Sequence, residues 1–210
     1  IEIAHEHGAW VHVDGAFGLW AAASPRTRPL VDGIERADSW GCDGHKWLNL
    51  TYDSGFAICS RPEVHAAAVR YSAPYLTGSG GAALAMSDFT LESSRRAKGF
   101  ATWAVLRHLG RDGVAGLVDH LCAMARRFAD GLADGGARIA NDVALNMVLA
   151  DVGDDEANAA VAAAVQQEGT AWLATTDWQG RRLLRLSLSS CATTADDVDR
   201  AVESILRHAA

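Results

Sequence analysis

Apolar and polar positions alternate along the chain in short blocks, and block length switches between that of strands and that of helices. Ile1–Gly8 reads as the end of a helix closed by glycine. Ala9–Asp14 (AWVHVD) is an apolar run of strand length. Arg28–Arg36 predicts a short helix, Ala37–Asp43 a second buried strand and Gly55–Ser60 a third. Arg61–Tyr71 predicts a helix with Pro62 near its first turn. Strands separated by helical segments predict a parallel sheet covered on both faces.

Residues 72–92 interrupt this order. The stretch holds three glycines and a proline and predicts a long loop, a class of segment that often carries function. Gly78-Ser79-Gly80-Gly81 within it reads as a hinge. Ser93–Leu109 predicts a helix with Phe100, Trp103, Ala104 and Leu106–Arg107 on its inner face, and Asp112–Leu132 a second long helix. In the last third, Ala144–Ala150 predicts a strand and Asp154–Gln167 a helix. Thr170–Trp178 and Arg182–Ser189 flank Gln179-Gly180 as a hairpin. Thr194–Arg207 closes the chain as a helix, with Thr194 as its cap, acids in its first turn and Arg207 in its last. The change from strand–helix alternation to strand, helix, hairpin, helix predicts a boundary near residue 110. Residues 1–110 then form an α/β part and 111–210 a small α+β domain.

Composition narrows the function classes. The 210 residues are 49% hydrophobic and 21% charged, with a formal net charge of −7. This is an ordinary globular balance, which excludes a disordered or fibrous protein. No basic block is present, so binding along a nucleic-acid backbone is not expected. No apolar run has the length of a membrane span. Cys42, Cys59, Cys122 and Cys191 are scattered without a Cys-x-x-Cys pair, which predicts reduced thiols in a cytoplasmic protein. His5, His7 and His12 lack a completing set of ligands, so no metal is expected. Asn49-Leu50-Thr51 matches a glycosylation sequon, without meaning in that compartment. The seven tryptophans read as core or subunit contacts. The chain opens Ile-Glu-Ile-Ala-His, without methionine, and reads as a helix entered midway; it is expected to be the second half of a longer protein.

One bias points at chemistry. Of the 19 basic residues only Lys46 and Lys98 are lysines. A lysine amine can lose its proton and attack a carbonyl; a guanidinium cannot. Lys46 follows the second strand in Gly44-His45-Lys46-Trp47, and Asp14 ends the first. Ligands of open α/β sheets gather at that edge. A lysine and a carboxylate facing one crevice suit pyridoxal phosphate: the amine binds the cofactor and the acid keeps the pyridine nitrogen protonated. Spacing alone leaves open a plain Asp14–Lys46 ion pair.

The blocks HVDGAFG (12–18), ADS (37–39), DGHKWLN (43–49) and YDSG (52–55) occur in this order, followed by TLESSRRAKGFATWAVLRHLG (90–110) and RLLRLSLSS (182–190). This series resembles the pyridoxal-phosphate-dependent group II amino-acid decarboxylases, of the aspartate-aminotransferase fold type I. The resemblance implies that the chain is the C-terminal portion of such an enzyme, ending the large cofactor domain, with its mostly parallel sheet, and including the small domain. It implies Lys46 as the Schiff-base lysine, Asp14 as partner of the pyridine nitrogen, Ala16 against the cofactor ring and His45 beside the phosphate or the lysine linkage. It further implies Arg185 as a contact to the substrate carboxylate region, and Tyr75, in the long loop, as the acid that protonates the substrate carbon. Gly15 stands where the family often has alanine, which reads as a mild change. The phosphate-cradling loop and the residue stacking on the ring, both N-terminal in the family, have no counterpart in these residues. The implied reaction is decarboxylation of an L-amino acid to an amine by a homodimer. The alternatives are another reaction on the same cofactor, such as transamination or carbon–carbon lysis, and a truncated subunit that only assembles.

Overall fold

The computed structural model describes residues 1–70, 85–92 and 94–210. Two sheets organise them. The first contains β1 (His12–Asp14), β2 (Ser39–Asp43) and β3 (Gly55–Cys59), in that order. β1 runs parallel to β2, with Asp14 opposite Gly41. β3 returns antiparallel, with Asp43 opposite Gly55. The expected parallel alternation therefore holds for one ladder and fails for the other. Residues 44–54 contain no helix, and a parallel return needs a crossover of a dozen or more residues, usually helical. Short helices α1 (Glu2–Glu6) and α2 (Pro62–Val69) flank this sheet. The helix expected over Arg28–Arg36 is two 3₁₀ turns, Arg28–Val31 and Ile34–Arg36.

The helix α3 (Lys98–Asp134) is the spine of the molecule. It departs from helical geometry at Gly110, where φ is 63° and ψ is −172°, so two helical segments meet there. The segment before the break packs Val105, Leu106 and Leu109 against Leu48 and Leu50. Phe100 and Trp103, expected inward, are 75% and 63% exposed. The helix carries two apolar stripes, and the one holding Val105 and Leu109 meets the protein. Four of the tryptophans, Trp10, Trp103, Trp172 and Trp178, are exposed, so of the two expected roles, core or subunit contact, the core role does not hold for them.

The second sheet has the order β4-β5-β7-β6, from β4 (Arg138–Ile139), β5 (Met147–Asp151), β6 (Ala174–Trp178) and β7 (Arg181–Ser187). All its ladders are antiparallel. The β6–β7 hairpin turns at Gln179-Gly180, both at positive φ (50° and 78°), the geometry that matches strand twist in a two-residue loop. Helices α4 (Asp155–Glu168) and α5 (Ala195–Ala209) pack on it with the second half of α3. Asp154 caps α4 by accepting from the Ala157 amide at 2.8 Å. Thr194 and Asp197 form a reciprocal capping box on α5. The core joins Phe128, Leu132, Val148, Val165, Leu184 and Ile205, all at most 3% exposed. Burying each such side chain stabilises by about 1.5–3 kcal/mol.

Glu168, the last residue of α4, ties that helix to α5. Its carboxylate accepts from Thr170 Oγ1 (2.7 Å), Ser204 Oγ (3.0 Å), Arg207 Nη2 (2.7 Å) and His208 Nε2 (2.8 Å). These donors, Thr170 foremost and then His208, Arg207 and Ser204, hold its pKa down at about 2. A depressed carboxylate contributes stability that is present above its unfolded pKa and lost as pH falls through the folded one. Acid titration of Tm should therefore decline from about pH 4.5 toward pH 2. Glu168→Gln should flatten that limb; an unchanged acid limb would remove Glu168 from its cause.

Candidate functional site

The site is built from the C-terminal ends of β1 and β2 and the turn that follows β2. Asp14 ends β1 with an exposed side chain. Its Oδ1 accepts from the Ala16 amide at 3.2 Å, which bends the chain into a tight turn. That turn is fastened to β2: Gly15 N–H donates to the Gly41 carbonyl at 2.9 Å and Asp43 N–H to the Ala16 carbonyl at 2.6 Å. Among the described residues Asp14 has no cationic partner. The residue opposite it, Gly41, has no side chain, and a Cβ built there would meet nothing nearer than His12 Nε2 at 3.7 Å. The carboxylate thus stands beside open space.

Close approach rather than positive φ requires Gly15. A Cβ there would lie 2.7 Å from Leu19 Cβ and 3.1 Å from the Gly41 carbonyl. The substitution to alanine, mild in the sequence, is costly here, since Leu19 Cβ cannot rotate away. Gly15→Ala should destabilise by about 1–3 kcal/mol, read as a lowered denaturation midpoint at unchanged m.

The turn after β2 sorts its residues by polarity. Trp47 and Leu48 point down and are 1% and 4% exposed. Trp47 packs on Val118, Leu121 and Cys122 of α3 and stacks with Phe17 at 5.9 Å. Leu48 packs on Val114. With both anchors down, Lys46 points up, its side chain 41% exposed. Its Nζ lies 2.8 Å from Asp43 Oδ2. The ion pair that spacing left open between Asp14 and Lys46 is replaced by one between Asp43 and Lys46. His45 is held by Ser54, its Nδ1 2.7 Å from the carbonyl and 3.1 Å from the amide nitrogen of that residue. Its Nε2 is 3.8 Å from Asp43 Oδ2, and its ring packs on Tyr52 at 4.2 Å between centroids.

An open cleft of about 480 Å³ surrounds Lys46. His45, Asn49, Leu50 and Tyr52 line it from the same turn, and Ser189 and Ser190 from the end of the second sheet. Asn49, at φ 51°, bridges the two sides. Asn49, Tyr52, Ser189 and Ser190 all lie in the blocks DGHKWLN, YDSG and RLLRLSLSS, but the sequence assigns none of them a role: residue type and spacing do not tell which members of a block turn toward the lysine. Arg185 sits exposed in β7, opposite Leu149 and Ala174, and is not among the residues lining this cleft. Tyr75 and the Gly78–Gly81 hinge lie outside the described residues.

The remaining titratable features are structural. Asp38 takes the Val11 amide and His5 Nε2, at 2.8 and 2.9 Å, and the Val11 bond leads in holding its pKa low. All four cysteines are free. Burial, and then the neighbouring Asp43, pushes the Cys42 thiol up to about 12, so it is inert as a nucleophile. Among the described residues no cluster of three metal-ligating side chains occurs, and no helix is long and apolar enough to cross a membrane.

A family model described as the pyridoxal-dependent decarboxylase conserved domain matches residues 1–149. The chain belongs to this family. Its members among curated proteins include 4-hydroxyphenylacetaldehyde synthase of Rhodiola rosea, 32% identical over 132 residues, covering 61% of this chain and 26% of the relative. Tyrosine decarboxylase 2 of Arabidopsis thaliana is 28% identical over 227 residues, covering 99% and 40%. The crystal structure of Oryza sativa TDC with PLP and tryptamine superposes with a TM-score of 0.91 at 25% identity, covering 99% of this chain and 46% of that one. The pyridoxal-decarboxylase fold of type I is thus present over the whole chain, with the antiparallel second sheet as its last part. The chain spans half the length of these relatives or less.

Proposed function

We propose that these residues are the lysine-bearing part of a pyridoxal-phosphate-dependent decarboxylase that converts an L-amino acid to its amine and carbon dioxide. The observation that carries this reading is the donor set at the ends of two parallel strands. A lysine amine stands in an open cleft, and a carboxylate without a cationic partner among the described residues, beside a side-chain-free position, stands on the adjacent strand. The residues present fit the cofactor's reactive end. Lys46 would hold it covalently, Asp14 would pair with its ring nitrogen, Ala16 would pack against the ring and His45 beside it. When bound, the group supplies an electron sink for the pair left on Cα as the carboxylate departs.

The chain's own groups do the rest. Asp43 Oδ2, 2.8 Å from Lys46 Nζ, is placed to hold the proton that the amine must give up before it attacks. Asp14, oriented by the Ala16 amide, would keep a proton on the ring nitrogen. Tyr52 and the two serines line the open cleft around Lys46 and offer hydroxyls to a bound group. Arg185 and Tyr75 remain our proposals for the carboxylate contact and the carbon acid. The division at Gly110 into a large-domain part (1–110) and a small domain (111–210) belongs to the same proposal.

Aromatic L-amino acids are the first substrates to test, because the relatives named above handle tyrosine-derived and tryptophan-derived compounds. The protein carrying these 210 residues is supplied with pyridoxal phosphate and each amino acid, and carbon dioxide and organic product are quantified together. Equimolar amine and carbon dioxide is the expected result. Keto acid without carbon dioxide would replace the reading with transamination, and aldehyde with carbon dioxide would move it toward the reaction named for the Rhodiola relative. We further place the protein in the cytoplasm, where its free thiols persist. We also read it as a homodimer, supported by the exposed apolar pair Phe100 and Trp103.

A further inference from the structure

We propose that Asn49 is a positioning residue that fastens the segment 189–191, which follows β7, to the Lys46 turn, and so sets the reactivity of the Lys46 amine. The inference rests on the lysine–cofactor reading above and assigns a new residue to it. The geometry is specific. Asn49 Nδ2 donates to the Lys46 carbonyl at 2.8 Å and to the Ser189 carbonyl at 2.6 Å, with the Trp47 carbonyl at 3.3 Å. Its Oδ1 accepts from the Cys191 amide at 2.7 Å. Two hydrogens and one acceptor oxygen are thus spent on two chain segments 140 residues apart, with one hydrogen given to the carbonyl of the reactive lysine itself.

The backbone is shaped for this contact. Asn49 takes a left-handed φ of 51°, which asparagine tolerates better than other residues with a side chain. Glycine would be easier there, but it could not bridge. The segment 188–193 is also pinned elsewhere: Asn146 Nδ2 donates to the Leu188 carbonyl at 2.9 Å, and His120 Nε2 lies 2.9 Å from the Thr193 carbonyl. Those two contacts hold the segment to its own domain. The bonds of Asn49 reach the Lys46 turn, and they bring Ser189 and Ser190 to the wall of the Lys46 cleft. Above the anchored Trp47, backbone bonds close the turn on itself, among them Asn49 N–H to the Lys46 carbonyl at 3.2 Å, and the carboxamide adds the tie to the 189–191 segment. A displacement of about 1 Å at a reacting group can cost about 100-fold in rate.

The test uses the two lysines of the chain as an internal pair. Wild type, Asn49→Gly and Asn49→Asp are exposed to pyridoxal phosphate, quenched with borohydride at timed intervals and mapped by peptide mass, giving labelling rates for Lys46 and Lys98. Asn49→Gly keeps the positive φ and removes the carboxamide; Asn49→Asp keeps its size and loses its donors. Amide exchange over 189–192 is followed on the cofactor-free proteins. In Asn49→Gly, exchange at Cys191 should rise and the Lys46:Lys98 labelling ratio should fall about 10-fold, with exchange in β5 and β7 unchanged. Asn49→Asp should lower the ratio likewise and covers the case in which the glycine variant does not fold. Faster Cys191 exchange with an unchanged ratio would make the contact merely structural and overturn the proposal, as would no change in either. Failure of wild-type Lys46 to label in preference to Lys98 would instead overturn the cofactor reading, and the positioning role with it, before any variant is compared.

Discussion

Replacing Lys46 by alanine abolishes the borohydride-fixed pyridoxyl adduct at this position and lowers turnover by about 1,000-fold or more, while the fold stays intact. The fold is expected to survive because Lys46 contributes little to it. Its side chain is 41% exposed and its polar contact is one ion pair with Asp43, a kind of pair worth about 0–1 kcal/mol. The anchors of the turn are Trp47 and Leu48, which the substitution leaves in place. Denaturation midpoint and adduct formation are therefore the two measurements, and they should separate. Persistent labelling in Lys46→Ala, mapped to Lys98, would assign the chemistry to the wrong lysine. Lys98 makes a useful contrast: its Nζ is 2.7 Å from Asp53, and it is not among the residues lining the Lys46 cleft.

Asp14→Asn is the second large effect. The amide oxygen of asparagine can still accept from the Ala16 N–H, so the turn that fastens β1 to β2 is kept. What is lost is the negative charge that, in the proposed role, would hold a proton on the cofactor nitrogen. Removing one preorganised electrostatic group of this kind costs about 100–1,000-fold in turnover. The side chain is exposed and lacks a cationic partner among the described residues, so Tm should stay within a degree or two of wild type, by the small cost usual for surface substitutions. A loss of stability matching the loss of rate would give Asp14 a structural role and remove it from the site.

The contrast with Gly15 is instructive. Asp14 is exposed and expected to matter for rate, whereas its neighbour Gly15 is buried and expected to matter for stability. The two residues share a turn, and only the packing of Leu19 and the Gly41 carbonyl around it tells them apart. The sequence carried the identity of both, but rated Gly15 a minor departure because a missing methyl has no signature until its surroundings are known.

Much of the fold was legible locally. The cap of α4 at Asp154, the box of Thr194 with Asp197 on α5 and the Gln179-Gly180 turn depend on residues within three or four positions of one another. Short-range chemistry of that kind is written in order along the chain, and the elements fell within a few residues of their expected bounds. The helical break expected between Leu109 and Asp112 occurs at Gly110 for the same reason. Strand direction was not legible: Gly55–Cys59 has the length and apolar content of a strand under either pairing, and the absence of a crossover helix made it antiparallel. The inner face of α3 was legible only in part: Leu106 packs inward as expected, but Phe100 and Trp103 face out, since the helix is apolar on two sides and only the position of Leu48 and Leu50 chooses between them.

By itself the sequence determined the chemistry on offer: a lysine in a His-Lys-Trp block, an aspartate at the end of an apolar strand, and a second half able to fold as sheet and helices. Those features are carried by residue type and short spacing, which survive without coordinates. The tertiary structure decided which groups share the cleft. It paired Lys46 with Asp43 instead of Asp14, left Arg185 on an exposed strand face, and brought Ser189 and Ser190 to the lysine through Asn49. The physical reason is distance along the chain. Contacts across 140 residues are set by how α3 and two sheets pack together, and no periodicity or motif within either segment encodes them.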